Sequence, residues 1–240
     1  MVCYCRIIYW VRNVHRINFL MKESWWMMTS HMLRKRKSEE QLQRLSVPVN
    51  KHLPYVEAEQ YTEVRTKEEI VDRIIPLTIA AAKALGAPDD FLEETTEEFQ
   101  AAALFTNEER QFMMAAILPE QAKINFSWKL ECIWILMWSI DLVPELGMPD
   151  QTCDVDLLLE MILESSRTEL LHKAELKPKS MILDELDFIY RAHWAVRDAQ
   201  LNGTEIPAVF DEGVVYERHY ALNWLVHYMD QTWDEISTDT

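Results

Sequence analysis

Pro119-Glu120-Gln121-Ala122-Lys123-Ile124-Asn125-Phe126-Ser127-Trp128-Lys129-Leu130-Glu131-Cys132-Ile133-Trp134-Ile135-Leu136-Met137-Trp138-Ser139-Ile140-Asp141-Leu142 decides how the rest of the chain is read. A proline followed by an acid opens a helix. From Cys132 to Ile140 the residues are apolar on every face of a helix, Ser139 excepted. A helix of that kind is stable only when other helices surround it. Its apolar run, bounded by Glu131 and Asp141, is shorter than the ~20 residues that a bilayer crossing needs. The segment from about 119 to about 142 is therefore expected to be the central helix of an all-α fold, a single multi-helix orthogonal bundle.

Outward from this segment, helix signals recur and two-residue alternation is nearly absent. Ser38-Glu39-Glu40-Gln41 reads as a capping box opening a short helix to about Leu45. Val47-Pro48-Val49-Asn50 and Leu53-Pro54 then predict an extended, Pro-containing loop near 46–65. Thr66-Lys67-Glu68-Glu69 is a second capping box, and Leu85-Gly86 ends its helix. Further starts are read at Pro88-Asp89, Thr106-Asn107-Glu108-Glu109, Asp154-Val155-Asp156, Glu169, Ser180 and Asp211. The helix from Ser180 should stop at Asn202-Gly203, and the last one should run to about Asp230. Only Gly86, Gly147, Gly203 and Gly213 occur in the whole chain. Phosphate-cradling loops and tight hairpins rely on glycine, so nucleotide-loop and hairpin-rich folds are disfavoured.

Residues 1–31 differ from everything after them. They hold Trp10, Trp25, Trp26 and Met1, Met21, Met27 and Met28, with Arg6, Arg12, Arg16 and Lys22 against Glu23 alone. The pattern matches neither a signal peptide nor a membrane span. The expectation is a non-domain leader over 1–31, disordered or translated from a start placed too far upstream, with Met32 as the working start of one domain over 32–240. Met32 to Lys37 would then be a solvated N-terminus. The chain carries a formal net charge of −16; without the leader, 20 basic residues face 39 acidic ones. So acidic a body repels phosphate backbones and anionic lipid. Nucleic acid and membrane are not expected as partners, whereas a protein partner, a basic one included, stays open. Cys3, Cys5, Cys132 and Cys153 show no disulfide framework, and a reducing, cytoplasmic location is the natural reading.

Polar residues gather at helical spacing near the C-terminus. After Ser180, Ile182, Leu186, Ile189, His193 and Val196 form a buried stripe. His193 on it is either a hydrogen-bonded core imidazole or a ligand or general base. Asp184, Asp187, Arg191, Trp194 and Asp198 form the adjacent stripe, with Asp187 and Arg191 in the favourable i,i+4 order. Arg218, surrounded by Val214, Val215, Ala221, Leu222 and Leu225, needs a partner. Glu131, Asp184 or Asp187 is expected to supply a carboxylate to it. Tyr190, Glu217, His219 and Asn223 complete the candidate cluster. A metal is not expected: His219 and His227 are eight residues apart, about 12 Å along a helix, and the cysteines lack zinc spacing. No cofactor is expected either. Ser127 lacks a nucleophile elbow, and Cys132 reads as buried and inert.

The chain resembles a known family over about 33–240. The matching landmarks are Ser46-Val47-Pro48-Val49-Asn50 with Leu53-Pro54, and Asn125-Phe126-Ser127-Trp128 with Glu131, Trp134 and Trp138. They continue with Cys153-Asp154-Val155, Leu183 to Asp198, Val215 to Trp224, Trp233-Asp234 and Thr238-Asp239-Thr240. The family is the domain of unknown function 4272, and the resemblance implies no activity and no catalytic residue. Two functions follow as expectations. One is a non-enzymatic interaction or accessory protein. The alternative is a hydrolase-like enzyme with His193, His219, Arg218 and carboxylates in a cleft between the C-terminal helices. An open pocket where these side chains converge favours the second; a closed, mutually satisfied cluster favours the first.

Overall fold

The computed structural model describes residues 29–240. The leader expected over 1–31 thus falls almost wholly outside the described residues; only Thr29, at the N-cap, and Ser30 and His31, inside the first helix, are seen. Among the described residues the chain forms nine α-helices and no strand: α1 Ser30–Arg44, α2 Lys67–Ala84, α3 Asp89–Glu98, α4 Asn107–Met114, α5 Glu120–Ser139, α6 Val155–Leu163, α7 Arg167–Lys173, α8 Lys179–Asn202 and α9 Glu212–Leu225. The all-α fold is confirmed. Among those residues no helix is long and apolar enough to cross a membrane.

The apolar helix α5 lies at the centre, as its composition requires, but it shares that place with α2. The two make the most extensive helix–helix contact in the fold. Between Ile70 and Ala82 every residue except Asp72 is buried on α2, and on α5 every residue from Leu130 to Ser139 except Trp134. Helices α3, α4, α6 and α7 pack on α2; α9 lies between α5 and α8, and α1 covers α8. One cluster of buried apolar residues runs from Leu42 to Ile236.

Local chemistry sets the element ends. Thr66 and Thr106 form the capping boxes read from sequence, with Glu69 and Glu109 closing them. Asp154 caps α6 by accepting from the Leu157 amide. A third capping box, Ser166 with Glu169, starts α7 two residues before the expected Glu169. Gly203 ends α8 in the left-handed region at φ 64°, a conformation glycine adopts without a Cβ penalty.

Three further boundaries differ from expectation. The first helix begins at Ser30, so Ser38 is mid-helix, and its hydroxyl donates back to the Arg34 carbonyl at 3.2 Å. Tertiary contacts hold the extra turns. Arg34 is 4% exposed and donates to Asp184 and to the Glu57 carbonyl, and Lys35 reaches the Lys51 and Leu53 carbonyls. Arg34 and Lys35 are therefore structural, whereas Arg36 and Lys37 stay exposed, as a solvated N-terminus would be. The second difference is at the end of α5, which stops at Ser139 rather than near Leu142. There the Ile140 and Ser139 carbonyls accept from the Glu175 and Lys177 amides, both at 2.9 Å, and Asp141 turns left-handed at φ 59°. The third is α9, which ends at Leu225 instead of Asp230. Arg65 takes the last carbonyls, its amide donating to Leu225 at 3.0 Å and its Nε to Trp224 at 2.9 Å. Beyond it, His227, Met229 and Asp230 all have positive φ.

Candidate functional site

The polar residues singled out in the sequence do not form one centre. They separate into three buried clusters, a pair of imidazoles and the floor of an open cavity. The first cluster belongs to α8. Arg191 grips Asp187 with two bonds, Nε to Oδ2 at 2.9 Å and Nη2 to Oδ1 at 2.8 Å, and also donates to the Pro54 carbonyl at 3.0 Å. Arg191 is 1% exposed and Asp187 0%. The pair ties the 46–65 segment to α8, and that segment is irregular apart from a short 3-10 turn at Glu59–Tyr61. Asp184 faces the other way, to Arg34 at 3.1 Å and Lys37 at 2.8 Å.

The second cluster corrects the expected Arg218 ion pair. The guanidinium donates to the Gly147 and Leu146 carbonyls, each at 2.9 Å, and is not ion-paired with Glu131, Asp184 or Asp187. The reason is geometric: Asp184 and Asp187 already hold Arg34 and Arg191, and the loop after α5 brings carbonyls to Arg218 first. Glu131, 2% exposed, accepts from the Cys153 amide at 2.7 Å. Its Oε2 has no partner among the described residues. Burial pushes the Glu131 carboxyl up, and the charge of Arg218 partly opposes this.

The third cluster joins α5 to α9. Lys129 donates to Glu217 Oε2 at 2.8 Å, and the Cys132 thiol donates to the same oxygen at 3.0 Å. Lys129 also sits 4.0 Å above the Tyr220 ring. Burial raises the Cys132 thiol well above its usual range, so it stays protonated. Trp194 is half-buried against the core.

His193 and His219 are the most informative pair. Their Nδ1 atoms lie 2.8 Å apart, with the rings at 84°. They are 4% and 2% exposed. Two nitrogens at this distance share one proton, so one imidazole donates and the other accepts. Burial lowers His193 to about 4, with Arg197 adding to the shift. Burial lowers His219 to about 3, helped by the charge of His193. Tyr216 meets His193 edge-on and Tyr190 packs beside His219, with both ring pairs 5.8 Å apart.

His219 also lines a cavity of about 810 Å³. Its floor is the α8–α9 groove, with Leu183, Leu186, Tyr190, His219 and Asn223. Its walls come from the 54–63 segment, from Val226 to Asp230, and from Asp239 and Thr240. The volume is within the range of sites that take small organic ligands. Asn223 fixes the C-terminal wall by donating to the Ser237 carbonyl at 2.8 Å. Of the candidates read from sequence, Tyr190, His219 and Asn223 are thus on the cavity, whereas Glu131, Asp184, Asp187, Arg191, His193, Trp194, Glu217 and Arg218 are not. Sequence reasoning missed Tyr55, Glu57, Tyr61, Glu63, Tyr228, Asp230 and Asp239. Their tyrosines and acids fall in irregular segments, where loop residues often carry binding, but nothing in the pattern says that segments so far apart meet. Among the described residues no group of three or more His, Cys, Asp or Glu is arranged to hold a metal ion.

A family model described as a domain of unknown function (DUF4272) matches residues 34–236, and the chain belongs to that family. No curated protein and no solved structure matches it.

Proposed function

We propose that this DUF4272 protein is a non-enzymatic interaction or accessory protein, and that it works by holding a ligand in the cavity between α8, α9 and the two irregular walls. The observation that carries the reading is the separation of closed clusters from open cavity. The charged groups best suited to catalysis satisfy one another or the backbone, as Asp187–Arg191 and Lys129–Glu217 do. What remains open is a concave surface where apolar Leu183, Leu186 and Val226 sit beside polar groups such as His219 and Asn223, a make-up suited to a binding site. The reading includes a cytoplasmic location, which the thiols of Cys132 and Cys153, both free among the described residues, support.

The hydrolase-like alternative has less support. Arg218 is held by carbonyls and does not line the cavity. His219 does line it, but a general base works best with a pKa near the operating pH, and His219 is lowered to about 3. The test fills the cavity with Val226→Trp at a half-buried wall position. Wild type and variant are screened by thermal shift against small organic molecules and short peptides. At least one compound should raise the melting temperature of wild type and leave the variant unmoved. Compounds acting equally on both, or none acting on either, would remove the cavity as the working site. Turnover of a bound compound would favour the enzyme.

A further inference from the structure

Resting on that binding reading, the chemistry of the cavity selects its ligand. Four carboxylates rim it, Glu57, Glu63, Asp230 and Asp239, all exposed. Among the described residues none of the four is in an ion pair with a Lys, Arg or His. No Lys or Arg lines the cavity. The nearby cations are engaged elsewhere: Lys179 on the Glu59 and Thr62 carbonyls, Arg191 on Asp187. Four tyrosines, Tyr55, Tyr61, Tyr190 and Tyr228, add electron-rich rings. Two of these already attract cations from outside the cavity, with Lys35 4.9 Å from the Tyr55 centroid and Arg191 5.7 Å from that of Tyr190.

The floor carries an independent signal. His219 is 2% exposed and lines the cavity, its Nδ1 is taken by His193, and no described hydrogen bond uses its Nε2. Asn223 is 3% exposed and its amide nitrogen is committed to Ser237, which leaves the Oδ1 acceptor unused among the described residues. Two buried side chains that line an acid-rimmed cavity thus each carry a polar atom with no partner among the described residues.

We infer that the cavity binds an organic cation, a primary alkylammonium, with its N–H donors on His219 Nε2 and Asn223 Oδ1, its stem on Leu183, Leu186 and Val226, and the carboxylates around it. An ammonium has three donors and no acceptor, which matches a floor of acceptors. Donation to Nε2 requires His219 to carry its proton on Nδ1 and give it to His193 Nδ1. The ligand therefore selects one of the two tautomers of the pair.

The experiment is isothermal titration with cadaverine, with a short peptide bearing one free lysine side chain, and with butyrate and 1-butanol as anionic and uncharged contrasts. Salt is kept at about 0.15 M, where the Debye length is about 8 Å and diffuse surface attraction is suppressed. The variants are Val226→Trp and the rim pair Asp230→Asn with Asp239→Asn. Both rim positions are exposed, and asparagine tolerates the left-handed backbone at Asp230, where φ is 53°. Their melting temperatures are measured first, to show that they fold.

An amine should bind wild type, weaken about tenfold in the rim variant from lost charge-assisted contacts, and fail to bind Val226→Trp. The imidazole 15N spectrum of His219 should move to a single tautomer with Nε2 as acceptor. Cadaverine alone binding identifies a free amine; the lysine peptide binding more tightly identifies a protein side chain. Amine binding that ignores both variants overturns the inference. Butyrate or butanol binding in a Val226→Trp-sensitive way, with no amine binding, sinks the cation and leaves the binding cavity standing. No binding of any probe, with an empty compound screen, removes both.

Discussion

Acidification should act on this protein through the paired imidazoles. His193 and His219 are held at about 4 and about 3 in the folded chain, against an ordinary 6.5. A lowered imidazole means the unfolded chain binds the extra proton first. Stability is then fully present above about pH 6.5 and falls as pH drops from there towards about 4. At about pH 5 an unfolded histidine lies about 1.5 units below its pKa, so each imidazole removes about 2 kcal/mol, at about 1.4 kcal/mol per unit. Other groups titrate in the same window, notably Glu131, whose raised carboxyl acts in the opposite sense as it protonates. The comparison with His219→Gln cancels them. Glutamine keeps an amide to hydrogen-bond His193 and removes one titrating ring. Urea unfolding of both proteins at about pH 7.5 and about pH 5 gives the result. Wild type should lose about 2 kcal/mol more than the variant between the two pH values. Equal losses would refute the claim that the imidazoles are buried neutral and proton-sharing.

Two further outcomes follow from the packing. A Cβ at Gly213 would lie 2.5 Å from Trp128 Cη2, so Gly213→Ala should cost about 1–3 kcal/mol by overpacking, read as a lower urea midpoint and relieved by adding Trp128→Leu. Arg218→Met strands the Leu146 and Gly147 carbonyls and should lower stability by about 2–3 kcal/mol, while cadaverine affinity stays unchanged because Arg218 does not line the cavity; unchanged stability with altered binding would overturn that assignment.

The helices were legible because their signals are local. Capping boxes at Thr66 and Thr106, the caps at Asp154 and Asp211, and Gly203 in the left-handed region all act within a few residues of themselves. The buried stripe from Ile182 to Val196 was legible for the same reason, since helical spacing alone puts those residues on one face. The boundaries misjudged were those set by distant groups. Arg65 ends α9 from across the fold, and Asp184 and the Glu57 carbonyl hold the turn around Arg34, ahead of the expected helix start at Ser38.

The site divides along the same line. Residue types and spacing within single helices identified His193, His219 and Asn223, and they placed Asp187 beside Arg191. Which partner each polar group takes was decided only by tertiary packing. An arginine on an apolar face needs acceptors, but carbonyls and carboxylates both qualify, and only the path of the loop after α5 settles which arrives. The cavity is the extreme case: its walls come from residues 54–63 and 226–240, more than 160 residues apart in sequence. A sequence pattern reports what lies within a turn or two of itself. A cavity is a property of how remote backbones are held, and it exists only once Arg191, Lys179 and Asn223 have pinned both segments in place.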